Sequence, residues 1–251
     1  MQQARLIVDS PAAGDWNMSV DQALLETADQ TGAITLRFYE WESATLSLGY
    51  FQNYRSRDEH PASSNCQVTR RASGGGAIVH DNELTYSLCI PSRNRWSAEN
   101  QKLYRLAHEI ITGALAAQGI GCRFFDPADS RIEGVEFDES NFLCFQRRTE
   151  GDLVCEGFKI CGSAQRRVKN SLLQHGSLLI SKSEHAPELP GFCDLTGLSC
   201  DKSQLISDIS AGCAAVLDLQ WHNDGLQEHE LGSAASIREL KFANDQWIRK
   251  R

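Results

Sequence analysis

Apolar and polar positions along this chain follow two periods, and the switches between them outline its elements. With a period of two, "ARLIVDS" reads as a first strand. "AITLRFYEW" and "ATLSLGYFQ" alternate in the same way, with aromatics and threonine, as half-buried strands do. "CQVTRR", "AIVHD" and "LTYSLCI" continue the strand series, with Gly74-Gly75-Gly76 expected as the turn between the first two. Further on, "LVCEGFKICGSAQRR" has the outline of a hairpin turning at Glu156-Gly157, and "SLLQHGSLLI" is another strand. With a helical period, "SVDQALLETADQTG" predicts a helix, with Ser19 and Gln22 as a capping box and Gly32 as its stop. "SAENQKLYRLAHEIITGALAAQG" predicts a long helix: Leu103, Leu106, Ala107 and Ile110, Ile111, Leu115 recur at helical spacing, and Gly119 ends it. "KSQLISDISAGCAAVLDL" and "AASIRELKFANDQWIRK" predict two more helices. Residues 126–141 are acidic and irregular and read as a loop, in which "VEF" could pair briefly. Clustered strands with a few long helices predict an α+β fold, a sheet covered by helices. No internal repeat or low-complexity linker divides the chain, so residues 1–251 are expected to form a single domain whose last part is mainly helical.

Composition narrows the function classes. At 41% hydrophobic and 23% charged residues, the chain has the balance of a globular protein. No apolar run approaches the roughly 18–20 residues of a membrane span, and the opening segment is too short for a signal peptide. The expectation is a cytoplasmic protein with no membrane partner. A net charge of −8 argues against broad nucleic-acid binding, although basic clusters occur at Arg70-Arg71, Arg147-Arg148 and Arg166-Arg167 with Lys169. The nine cysteines are scattered, with no C-x-x-C pair. They are expected to be reduced, mostly buried and inert, and no metal site is expected.

Three segments carry candidate chemistry. In "RRASGGGAIVHD", three consecutive glycines leave backbone N–H groups uncovered for a ligand's carbonyl or phosphate, and His80-Asp81 follow at a strand end. In "FKICGSAQRR", Lys159 lies on a strand between Phe158 and Ile160. A buried lysine there needs a partner, but the period of two equally permits a solvated one. "LLQHGSLLI" sets His175-Gly176 inside an apolar strand, where the local pattern alone favours a hydrogen-bonded core histidine.

In this order the three segments resemble the lipoate-protein ligase and octanoyltransferase family, within the biotin/lipoate ligase superfamily, over roughly Asp15 to Ile180. The resemblance implies a mixed, mostly antiparallel sheet flanked by helices, and a site holding an activated medium-chain acyl group. Carried over, Arg71, Gly74, Gly75, Gly76, His80 and Lys159 would line that site, with Ser163, Ala164 and His175 beside them. Ligases of this family use ATP to make an acyl-adenylate. One octanoyltransferase branch places its nucleophile in a C-x-x-H before the third motif's His-Gly, where this chain has Leu172. Another places a cysteine, often as Cys-Phe, in a loop about fifteen residues before the lysine, which Cys144-Phe145 matches. The Pro-Ser that often follows is replaced by Arg148-Thr149. Cys155 and Cys161 have no such match and read as structural.

The resemblance thus implies a cysteine-dependent octanoyltransferase with no cofactor. Octanoyl would pass from acyl carrier protein to Cys144, then to the lysine of a lipoyl-carrier domain of a 2-oxoacid dehydrogenase or of the glycine cleavage H protein. A lysine ammonium near the thiol would favour thiolate, and glycine-loop N–H groups would serve as an oxyanion hole. Other readings remain open: an ATP- and Mg-dependent ligase, an amidotransferase between lipoyl-domain proteins, or a module that binds acyl carriers without turnover. Since the carriers are typically acidic, Arg147, Arg148, Arg166, Arg167 and Lys169 are expected to form a basic docking face.

Overall fold

The computed structural model describes residues 1–128 and 141–251. Its strands are β1 (Gln2–Val8), β2 (Thr35–Tyr39), β3 (Thr45–Leu48), β4 (Gln67–Arg70), β5 (Ile78–His80), β6 (Glu83–Ile90), β7 (Arg123–Phe124), β8 (Leu153–Cys155), β9 (Phe158–Val168), β10 (Ser171–Leu179) and β11 (Leu219–Asn223). Its helices are α1 (Gly14–Thr31), α2 (Arg95–Ala98), α3 (Asn100–Ala117), α4 (Phe192–Thr196), α5 (Lys202–Leu217), α6 (Glu228–Ile237) and α7 (Asp245–Ile248). Eight strands form one sheet in the order β11-β1-β2-β6-β10-β9-β8-β7, and β4-β3-β5 form a second. In the large sheet β1 runs parallel to β11 and β2, and every other pairing is antiparallel. This is the expected α+β architecture, a mostly antiparallel sheet flanked by helices.

Side-chain alternation splits the large sheet into two apolar faces. Leu84, Leu88 and Ile90 of β6 and Leu172 and Leu178 of β10 pack with Leu103, Ile111 and Leu115 of α3 and Leu205 and Ile209 of α5. On the opposite face Ile7, Cys89 and Leu173 pack with Val20, Leu24 and Leu25 of α1. A third cluster joins the small sheet to the chain entering the cysteine turn: Leu46, Leu48, Ala77 and Val79 meet Phe142, Leu143 and Phe145. Among the described residues, no helix is long and apolar enough to cross a membrane.

Several local expectations change. The glycine triplet is not a hairpin turn, because β4 and β5 do not pair with each other. Both pair with β3, β4 in parallel and β5 antiparallel, so the triplet lies in a crossover. The first helix starts at Gly14 rather than at Ser19, whose hydroxyl donates back to the Asp15 carbonyl 2.6 Å away. A buried serine bonding back along a helix replaces the capping box. Gly32 does end the helix, at φ +78°. The last helix is interrupted: a wide turn over Arg238–Phe242 buries Phe242, and Asn244 caps α7 by accepting the Gln246 N–H at 2.8 Å. The expected β8–β9 hairpin forms, with Glu156 at φ +46° and Gly157 at +83° in its turn. The "VEF" segment falls outside the described residues.

Candidate active site

Strand β9 begins immediately after a tight turn, which carries Lys159 inward. Its side chain is only 6% exposed, and Nζ lies 2.8 Å from Asp152 Oδ2. The buried side of the period-of-two alternatives is therefore the one observed. Burial opposes the ammonium, but the Cys144 sulfur and the Asp152 carboxylate outweigh it and hold the lysine above its ordinary value. Asp152 is fixed in turn by the Thr149 N–H at 2.8 Å. Gly162 must be small here, because a Cβ would stand 2.5 Å from Lys159 Cε and 2.8 Å from Nζ.

Cys144 opens a single turn of 3₁₀ helix, with its Sγ 3.9 Å from Lys159 Nζ. Its position is not that of a loose loop. Its N–H donates to the Ala77 carbonyl at 2.7 Å, and the Ala77 N–H donates to the Phe142 carbonyl at 3.0 Å. Gly76 permits this approach, since a Cβ there would lie 2.9 Å from the Cys144 nitrogen. Phe145 anchors the other side of the turn, buried in the core of the small sheet with its ring 5.4 Å from Lys159 Nζ.

Arg71 organises the glycine loop. Its buried guanidinium donates to the carbonyls of Gly74 at 2.9 Å and Gly76 at 2.5 Å, and to that of Ser47 at 2.8 Å. Burial lowers it to about 10, with the nearby Cys144 sulfur opposing that fall. By drawing two loop carbonyls onto itself, Arg71 removes acceptors that would repel an oxyanion.

The far wall is polar but neutralised. His80 Nδ1 sits 2.7 Å from Glu83 Oε1, and the imidazole stacks on Trp41 with centroids 3.8 Å apart. Burial pushes His80 down despite Glu83. Glu83, held by His80, Thr85 and Ser177, remains ionised despite its own burial. His175 Nε2 lies 2.7 Å from Ser73 Oγ, and Nδ1 lies 3.6 Å from Asp21 Oδ2. Asp21 also binds Arg37 at 2.9 Å and Ser87 at 2.8 Å. The Ser163 hydroxyl is taken up by Tyr86 and His108, each at 2.7 Å.

These elements enclose a cavity of about 320 Å³. Of the residues expected from the sequence, Arg71, Gly74, Gly75, His80, Cys144, Lys159, Ser163, Ala164 and His175 line it. Gly76 does not, and instead packs beneath the cysteine turn. Sequence reasoning missed the acidic partners Asp152, Glu83 and Asp21 and the apolar wall residues Met18 and Ile78, and it named Phe145 only as part of the Cys-Phe pair and not as part of that wall. Cys155 and Cys161 are buried outside the cavity, where burial pushes Cys155 up to about 11 and Cys161 further. Leu172 is fully buried on the α3 face. Among the described residues, no cluster of His, Cys, Asp or Glu could hold a metal ion.

The basic face takes a different form from the one expected. Arg148 is buried. Arg147 Nε is held by the Asn141 carbonyl at 2.5 Å, Arg167 donates to the Ser97 carbonyl, and Lys169 pairs with Asp29 at 3.1 Å. Of the five, Arg166 is exposed with no ion pair among the described residues.

A large, mostly antiparallel sheet thus brings a buried lysine and a glycine crossover to one cavity. Residues 14–186 match the family described as lipoyl protein ligase A/B catalytic domain, and the chain belongs to it. It is 34% identical to the octanoyltransferase LipM of Bacillus subtilis (strain 168) over 98% of both chains. Its fold is similar to that of a lipoate-protein ligase A solved with bound ATP, at a TM-score of 0.77 and 19% identity over 99% of both chains. It is also similar to that of a bi-partite lipoate protein ligase of Thermoplasma acidophilum, studied with its E2 lipoyl domain. There the TM-score is 0.76 and the identity 18%, over 99% of this chain and 97% of that one.

Proposed function

We propose that this chain is an octanoyltransferase of lipoate biosynthesis that works through a Cys144 thioester. Relatives named as octanoyltransferases support the acyl chemistry, and the observation that carries the reading is the 3.9 Å approach of Cys144 Sγ to Lys159 Nζ at the cavity wall. The Lys159 ammonium attracts a thiolate at that distance and stands beside any carbonyl the sulfur attacks. In the first half-reaction the Cys144 sulfur bonds to the acyl carbon of octanoyl-acyl carrier protein. The donor's C–S bond breaks, and the departing thiolate takes up the proton that Cys144 gave up. In the second, the amine of a lipoyl-domain lysine bonds to that carbon, the C–S bond to Cys144 breaks, and the amine's proton returns to sulfur. N–H groups of the glycine loop, freed of competing carbonyls by Arg71, stabilise the oxyanion in both. Ser163, Ala164 and His175 shape the wall against which the acyl chain lies. At about 320 Å³ the cavity has the size of a small-molecule site. The reaction is expected in the cytoplasm and without a cofactor.

Intact mass after incubation with octanoyl-acyl carrier protein, with and without ATP, tests this directly. The expected product is one octanoyl group on Cys144, formed equally well without ATP. A strict ATP requirement, or full transfer by a Cys144→Ala variant, would move the protein to the ligase reading. An octanoylated lipoyl domain serving as donor in place of the carrier protein would move it to the amidotransferase reading.

A further inference from the structure

Beyond the wide turn, the chain's last residues come back against the segment from Tyr50 to Tyr54, which runs beside the cavity-lining glycine loop and forms a lip next to the cavity. The Tyr54 N–H donates to the Arg251 carbonyl at 2.8 Å, Arg70 Nε donates to the Ile248 carbonyl at 2.8 Å, and Trp247 Nε1 donates to the Arg70 carbonyl at 2.8 Å. Arg70 lies at the end of β4, one residue before the arginine that folds the glycine loop. On this frame the cations gather. Lys250 Nζ lies 3.1 Å from the Tyr50 ring centroid and 3.7 Å from that of Trp247. Arg251 reaches the Phe51 ring at 5.3 Å, and Arg166, two residues beyond Ala164 on β9, reaches the Tyr50 ring at 5.9 Å.

No side-chain carboxylate among the described residues forms an ion pair with Arg166, Lys241, Lys250 or Arg251, although the protein carries a net charge of −8. The crowding leaves its mark. Burial, followed by Arg70 and Arg251, lowers Lys250 to about 8, and burial with Arg166 lowers Lys241 to about 8 against the pull of Glu26. Amid these charges Phe51 is 68% exposed, and its ring lies 3.9 Å from where a Gly74 Cβ would stand. An unneutralised cationic rim around one exposed aromatic ring, next to the cavity-lining glycine loop, is the pattern of an electrostatically steered interface with an apolar centre.

We infer that this lip, formed by the exposed Phe51, Arg166 and Arg251, with the Lys250 ammonium buried behind them against Tyr50 and Trp247, is where the acidic acyl-donor protein docks: a folded carrier whose carboxylate-bearing face surrounds its acyl arm. The inference rests on the octanoyltransferase reading and adds to it the surface that meets the donor. Such a face supplies the opposite charge that this rim lacks, and the acyl arm then enters past Gly74 towards Cys144.

The test uses the full chain and two donors, octanoyl-acyl carrier protein and octanoyl-pantetheine, which is uncharged and has no protein to dock. Arg166→Glu, Arg251→Glu and Phe51→Ser are compared with Lys102→Glu on α3, which packs on the opposite face of the large sheet. For Arg166→Glu and Arg251→Glu, kcat/KM with the carrier protein should fall about tenfold each at low ionic strength, and the deficit should shrink at high salt. Phe51→Ser should lose several-fold with little salt dependence. Rates with octanoyl-pantetheine should stay at wild-type level in all three, which also reports an intact site. The Lys102→Glu protein should be unaffected with either donor. If the lip variants match wild type with the carrier protein, or lose equally with octanoyl-pantetheine, the docking assignment fails. If the wild type is acylated by neither donor, the octanoyltransferase reading itself fails.

Discussion

The turn at Cys144 and the strand at Cys161 both bring a sulfur within electrostatic reach of Lys159, one from the cavity and one from the core. Cys144 keeps part of its surface and lies on the wall of a cavity. Cys161 is wholly buried among leucines and isoleucines, 3.9 Å from His108, and burial pushes its thiol far above the ordinary range. The same lysine therefore faces one thiol that can meet a substrate and one that cannot ionise. On the thioester reading, proximity to a cation is not enough for a nucleophile; the sulfur must also be open to a substrate.

The strongest test of that contrast exchanges the two cysteines' fates. Cys144→Ala should lower transfer by at least about 10³-fold and abolish the acyl-enzyme, with the fold intact. Cys161→Ala should retain transfer and lose only about 1–2 kcal/mol of stability, read from denaturant midpoints. A Cys161→Ala protein that folds yet cannot form the acyl-enzyme would reverse the assignment.

Asp152 probes the lysine that the two share. Breaking a buried pair by removing one partner typically costs about 3–5 kcal/mol, so Asp152→Asn should lower the midpoint substantially. Single-turnover acylation of Cys144 should slow as well, because the ammonium loses the carboxylate that helps to hold it charged. Wild-type values for both would show that the 2.8 Å pair is incidental.

The core side of the contrast has its own pH signature. Burial lowers His108 to about 4, below the roughly 6.5 expected in the unfolded chain. The unfolded state therefore binds the proton first as pH falls. The stability His108 contributes is complete above about pH 6.5 and is lost progressively down to about pH 4, amounting at most to about 3 kcal/mol. His80, lowered by burial against Glu83, steepens the same slope. Urea midpoints measured from pH 7 to 4 should fall in the wild type and fall less in His108→Gln. Identical slopes in the two proteins would remove His108 from the account.

The smallest expected effect concerns the cavity's size. Two fewer methylenes cost about 1.6 kcal/mol, so a hexanoyl donor should be used roughly fifteenfold less well than octanoyl at subsaturating concentration. Equal use of the two would mean that the chain is not gripped by the cavity.

The β8–β9–β10 meander was legible in the sequence because its pairings are local and its turn residues stand between the strands. The resemblance marked the glycine loop, the lysine and the histidines, since these sit within contiguous motifs. Strand β11 was hidden for the opposite reason. It pairs in parallel with β1 from the far end of the chain, Gln2 facing Leu219, and most of its side chains lie open to solvent at the sheet edge. Asp152, Glu83 and Asp21 looked like ordinary solvated acids in a turn, at a strand start and on a helix. Two of these pairings are local in sequence, Glu83 with His80 and Asp152 with Lys159; what the pattern did not show is that packing buries them, as it buries Asp21 with Arg37. Arg148 misled in reverse: a charged residue in a basic run reads as surface, yet it is buried here.

The backbone bond from the Cys144 N–H to the Ala77 carbonyl has a consequence beyond holding a turn in place. Ala77 directly follows Gly76 and leads into β5, so the cysteine turn and the glycine loop, far apart in sequence, are joined by one short backbone bridge. A shift of the small sheet carries both together, and their spacing survives motions that would separate parts mounted on different supports. The spacing between the sulfur and the glycine loop is thus set by a local pair of backbone bonds, Cys144 to Ala77 and Ala77 to Phe142, rather than by contacts across the whole molecule.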